Sequence, residues 1–246
     1  MKRYLPLLLF FSGTLLLIGT LYFFVLRKPA TKETLEEEGL IEVSLIDRPI
    51  ASLTPSQDGH WLKLRIEKLL SGAGSLDYEL LYTLPDGRTQ GVPGTIGLKG
   101  ESQIERDLLL GSESSGKFRY DEGVEEGTLT LRFRNEKGKL LAKFSTKFHL
   151  QSAESELTSA DGKLVYTLAK IPSKTFFVTM ETFGIAKAAP GEVSAGPYGI
   201  FSLGKSAYPG TVELSGGTIY TLMGGSWTRL EAGEANDIGI FIAVSE

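Results

Sequence analysis

The sequence contains no cysteine. Disulfide bridges, thiolate metal sites, cysteine nucleophiles and lipid attachment through an N-terminal cysteine are excluded. Histidine is nearly as scarce, with only His60 and His149, and both read as isolated surface residues. Neither belongs to an H-E-x-x-H or other metal-spaced pair. No G-x-S-x-G elbow occurs to hold a serine nucleophile, and no D-x-D-x-D-G run to wrap calcium. The sequence therefore predicts no catalytic residue, no cofactor-binding residue and no metal ligand, and reads as that of a non-enzymatic protein.

Positive charge is also short where nucleic acid would need it. The formal net charge is −4, and the only charged residues up to Lys32 are the basic Lys2, Arg3, Arg27, Lys28 and Lys32. The remainder therefore carries about −9. An acidic body offers no face for phosphate, so nucleic acid is not a partner. Hydrophobic residues make up 41% and charged residues 23%, the balance of a globular chain.

What the sequence does have is one long apolar run. Tyr4 to Leu26 (YLPLLLFFSGTLLLIGTLYFFVL) carries no charge. As a helix rising about 1.5 Å per residue it spans a hydrocarbon core of about 30 Å. A cleaved signal peptide has a shorter apolar region and a small-x-small site, whereas this run ends in Leu26-Arg27-Lys28-Pro29. Residues 1–28 are thus expected to form an uncleaved, single-pass signal-anchor, its basic flanks meeting lipid head groups. Gly13 and Gly19 lack the G-x-x-x-G spacing of a helix dimer. Basic residues flank both ends, so the orientation rests on the short N-terminal tail, which places the soluble part outside the cytoplasm.

Residues 29–40 form a charged linker, beyond which the hydrophobic period becomes two. Leu62, Leu64 and Ile66 alternate with Lys63, Arg65 and Glu67. Leu76, Tyr78, Leu80 and Tyr82 share one face, as do Leu129, Leu131 and Phe133, and then Phe144, Phe148 and Leu150. Such alternation belongs to half-buried strands. Leu84-Pro85-Asp86-Gly87 and Asn135-Glu136-Lys137-Gly138 read as turns. About seven strands fit residues 41–150, which resembles an immunoglobulin or fibronectin-III-like β-sandwich. The resemblance rests on strand pattern and implies a fold class without a function.

A polar stretch over 151–162 reads as a second linker. Residues 163–246 are richer in glycine and carry short candidate strands at Leu164–Leu168, Thr175–Thr182, Gly199–Leu203, Thr211–Leu214, Thr218–Leu222, Ser226–Leu230 and Ile238–Val244. Gly216-Gly217 and Gly224-Gly225 read as close turns. A second, small antiparallel β module is expected. The fold class is all-β behind an N-terminal transmembrane helix.

Three features invite chemistry. Gly111 to Lys117 (GSESSGK) has the G-x-x-x-x-G-K spacing of a phosphate loop. However, Phe118 occupies the magnesium-binding position, and the following residues, broken by Gly123 and Gly127, do not open a helix. It reads as a polar loop between strands. Asp121, Glu122, Glu125 and Glu126 form the densest acidic cluster and read as a solvated loop. Among aromatics, Trp227, Tyr220 and Tyr198 are the candidate ligand contacts, since exposed rings stack on sugars or anchor proteins, against the alternative that they pack in the core. The expectation is a membrane-anchored surface protein that contacts lipid through its helix. Its β modules bind a protein or glycan partner or act as a spacer. Alternatives are a glycan-binding or glycan-active envelope protein and a subunit of a membrane complex.

Overall fold

The computed structural model describes residues 40–204 and 206–245. The expected membrane span Tyr4–Leu26 lies outside them. Among the described residues no helix is long and apolar enough to cross a membrane, and every regular element is a strand.

The first half holds β1 (Ile50–Pro55), β2 (Trp61–Glu67), β3 (Ser75–Thr83), β4 (Thr89–Gly97), β5 (Gln103–Leu109), β6 (Gly111–Ser114), β7 (Lys117–Tyr120), β8 (Glu126–Arg134) and β9 (Leu140–Ser152). The second holds β10 (Glu156–Thr158), β11 (Leu164–Leu168), β12 (Phe176–Glu181), β13 (Val193–Phe201), β14 (Gly210–Leu214), β15 (Thr218–Met223), β16 (Ser226–Arg229), β17 (Glu234–Ala235) and β18 (Ile240–Val244). The paired strands run antiparallel, as in β2 with β5 and β8 with β9.

The period-two residues do what their alternation requires. Leu62, Leu64 and Ile66 are fully buried while Lys63 and Arg65 point outward. Each such burial stabilises by about 1.5–3 kcal/mol. Both expected turns close hairpins, one joining β3 to β4 and the other β8 to β9. On the solvent side of β3 and β8, Arg132 pairs with Glu79 at 3.3 Å and Arg134 with Asp77 at 2.8 Å.

The sheet order is the finding that pattern alone could not supply. Strands β1-β2-β5 form one sheet and β10-β11-β14-β17 another. Between them runs a single nine-stranded sheet, β16-β15-β18-β13-β12-β9-β8-β3-β4. The pairing of β9 with β12, from Phe176 opposite Ser152 to Met180 opposite Phe148, carries this sheet from the first half into the second. The polar stretch 151–162 starts in β9 and includes β10, with Leu157 buried.

Two main cores result. One gathers Leu53, Leu64, Leu80, Leu131 and Phe148 under the β1-β2-β5 sheet. The other gathers Leu164, Tyr166, Tyr198, Val212 and Phe241 under the β10-β11-β14-β17 sheet. Strand β12 serves both, sending Val178 and Met180 into the first and Phe177 into the second. Successive side chains of a strand point to opposite faces, so at β12 the two cores lie on opposite faces of the long sheet. A smaller cluster of Ile185, Ile242 and Val244 covers the other face of β18.

Candidate functional site

The turn before β2 is built from its own side chains. Ser56 Oγ donates to Asp58 Oδ1 at 2.5 Å, and the His60 and Trp61 N–H groups donate to Asp58 Oδ1 and Ser56 Oγ. The Ser56 hydrogen bond, followed by that of the His60 N–H, holds the Asp58 carboxyl below the usual range. Gly59 sits at φ +74°, and a Cβ there would lie 2.7 Å from the Phe176 ring. Only glycine meets both demands without strain. The turn is therefore seated on Phe176 and sets His60 at the head of β2.

The GSESSGK segment forms the β6–β7 hairpin, with Ser115 and Gly116 as its two turn residues at φ 52° and 75°. Two successive positive φ values define the turn whose twist suits a tight hairpin. No helix N-terminus exists here to receive a phosphate. Register places Glu113 opposite Phe118 and Gly111 opposite Tyr120. Phe118 and Tyr120 share one face and stay 45% and 37% exposed. Tyr120 stacks on His60 with 4.2 Å between centroids and 6° between planes. Phe118 lies 6.3 Å from Tyr120, nearly parallel, and meets Trp61 edge-on at 5.6 Å. Four rings thus form a continuous row on the surface.

His60 also borders a cavity of about 280 Å³ whose walls include Asp58, Asp121, Glu122, Glu125, Glu154 and His149, with Phe176 below. No lysine or arginine lines it. The acidic loop and both histidines, which read as separate surface features in the sequence, therefore meet. Imidazole Nε2 of His60 lies 3.4 Å from Glu122 Oε1. Its Nδ1 lies 3.2 Å from Asp58 Oδ2 but is shut off from solvent without a well-aligned hydrogen bond. His149 turns Nδ1 toward the Thr158 carbonyl at 3.0 Å. Tyr82 donates to Asp121 Oδ2 at 2.9 Å, and burial together with that bond pushes the phenol well above its usual range. Among the described residues no His, Asp and Glu group has metal-binding geometry. The arrangement is a negatively charged pocket with an aromatic rim.

The three aromatic residues singled out as candidate ligand contacts lie elsewhere. Tyr198 is 5% exposed in the second core and donates to Asp161 Oδ2 at 2.6 Å. Trp227 and Tyr220 pack beside the small cluster of Ile185, Ile242 and Val244, and Trp227 Nε1 donates to the Lys187 carbonyl at 3.0 Å. These rings are not brought together with the row at the hairpin.

Tyr198 does mark a second polar place, a cavity of about 150 Å³ bordered by Asp161, Glu181, Lys147 and Ser145. Burial pushes the Glu181 carboxyl up, with Arg48 opposing and Asp161 adding to the shift. Burial also raises Asp161, but hydrogen bonds from Ser159, Tyr198 and the Lys163 N–H outweigh it and leave the carboxyl below its usual range. Its volume is well under the ~300–1,000 Å³ of ordinary ligand sites.

The chain matches no protein-family model, and no curated protein resembles it closely enough to count as a relative. The sequence signals for the site at the hairpin were Phe118 and Tyr120 alternating on a short segment, and the Asp58-Gly59-His60-Trp61 turn.

Proposed function

We propose that this chain is a membrane-anchored, single-pass, non-enzymatic surface protein that binds a partner through the ring row and cavity at the β6–β7 hairpin. One observation carries the reading: Phe118 and Tyr120 stand half in water on a two-stranded hairpin that has no sheet neighbour. Large apolar rings held outside a core, beside a pocket, mark binding surfaces. The charge-free run Tyr4–Leu26 and its basic flanks support a helical lipid anchor, with the soluble part outside the cytoplasm.

We read residues 41–150 as an immunoglobulin or fibronectin-III-like sandwich. The supporting observation is strand order: β1-β2-β5 on one side and β4-β3-β8-β9 on the other. The β6–β7 hairpin is then an insertion between β5 and β8, placed to carry function on a rigid frame. Residues 163–246 form the second β module of the same reading. A glycan is the favoured class of partner, because the ring row ends at His60, which lies against the Asp58 and Glu122 carboxylates.

The test is protease shaving of intact cells that express the full chain with a C-terminal tag. Loss of the tag, with a small remnant kept in the membrane, is the expected result. Protection until lysis overturns the outward placement.

A further inference from the structure

We propose that the cavity beside the β6–β7 hairpin and the ring row that meets it at His60 form one site for an amino sugar, a saccharide bearing free ammonium groups. This rests on the partner-binding reading above and adds the chemistry of the ligand.

The charge of the walls decides the sign of the ligand. Asp58, Glu122, Glu125 and Glu154 border the cavity and no lysine or arginine does. Lys117 and Arg119 lie on the opposite face of the hairpin from Phe118 and Tyr120, by strand alternation. An anionic saccharide would lose its hydration without gaining a cationic partner. An ammonium group instead gains charge-assisted hydrogen bonds from carboxylates. The Glu122 side chain, 82% exposed, faces solvent beside its His60 contact and supplies one of them.

The rings decide the body that carries the charge. Phe118 and Tyr120 lie 8° from parallel with 6.3 Å between centroids. His60 covers one face of Tyr120, so the half-exposed Phe118 is the ring left to take the C–H face of a pyranose, and its quadrupole attracts a cation lying over it. The cavity, at about 280 Å³, falls just short of the ~300–1,000 Å³ of drug-sized ligand pockets. It suits one sugar unit, with the neighbouring unit lying along the hairpin. A lysine-rich peptide satisfies the carboxylates equally well, but its flexible stems gain less from flat rings than a rigid pyranose does.

The experiment is titration calorimetry on the full chain in a detergent without a sugar head group, at about pH 5.5, where the sugar amines are protonated and ordinary carboxylates remain ionised. Three probes are compared: a glucosamine oligomer, its fully N-acetylated counterpart and oligolysine of equal length. The glucosamine oligomer is expected to bind at least tenfold more tightly than either of the others. Phe118→Ser and Glu122→Gln, both at exposed positions, are each expected to weaken it about tenfold, a loss of ~1.4 kcal/mol. Trp227→Phe, remote from the site, is expected to leave binding unchanged. Equal binding of the acetylated oligomer overturns the role of the ammonium group. Equal binding of oligolysine, indifferent to Phe118→Ser, overturns the saccharide in favour of a basic peptide. No binding of any probe overturns the ligand assignment, while cell shaving tests the anchored surface placement separately.

Discussion

The imidazole of His60 lies flat on the phenol ring of Tyr120, with 4.2 Å between centroids and 6° between planes. This contact ties the head of β2 to the last residue of β7, and so holds the protruding hairpin against the body of the protein. Stacked pairs of this kind contribute about 0.5–1.5 kcal/mol beyond the area they bury. Tyr120→Leu is therefore expected to lower global stability by roughly that amount in urea unfolding. It should also make the Ser114–Lys117 turn more sensitive to protease. A hairpin as protected as before would show that the stack does not anchor it.

Gly59→Ala is expected to destabilise by more than about 1 kcal/mol, because the position needs a positive φ and the Phe176 ring occupies the space of the new methyl group. Combining it with Phe176→Leu separates the two causes. Relief of the clash makes the double variant less destabilised than the sum of the singles. Strict additivity would leave backbone strain as the sole cause.

Glu181 gives stability a pH dependence of known sign. Burial, the largest influence, raises its folded-state carboxyl above the ordinary range, with Arg48 opposing. The folded protein thus holds this proton more tightly than the unfolded chain does. The stabilisation is fully present below the ordinary glutamate range and is lost as pH rises through the raised folded value. Glu181→Gln is therefore expected to raise Tm at neutral pH and to lose that advantage in acid. A Tm gain of equal size at both pH values would argue against the shift.

The two tryptophans report on the two halves, Trp61 beside Phe118 and Trp227 beside the Ile242 cluster. Because β9 and β12 share a hydrogen-bonded register, the single-tryptophan variants Trp61→Phe and Trp227→Phe are expected to unfold at the same urea concentration after correction for each substitution. Two separate midpoints would mean that the β9–β12 pairing couples the halves only weakly.

Much of the fold was legible because strands advertise themselves locally. The alternation of Leu62, Leu64 and Ile66 predicts a strand, and β2 spans Trp61–Glu67. The candidate Leu164–Leu168 is β11, and Gly224-Gly225 closes the β15–β16 hairpin. The short β10 and β17 escaped, since three and two residues are too few to show a period. Gly216-Gly217 joins strands of different sheets, β14 and β15, which no turn signal can tell from a hairpin.

The candidate site was much less legible. Exposure of an aromatic ring depends on what packs over it, and that is a property of strand order. Tyr198 lies beneath the β10-β11-β14-β17 sheet, while Phe118 and Tyr120 stand on a hairpin that no sheet covers.

The sequence by itself determined the absence of cysteine chemistry, the acidic balance of the chain beyond Lys32, the apolar run Tyr4–Leu26 and most strand positions, because each is a matter of residue type or local period. Only the tertiary structure decided that β9 pairs with β12 and that His60, His149 and the 121–125 loop border one cavity. Pairing between distant strands is fixed by which apolar faces can be buried together, and that is a property of the whole chain.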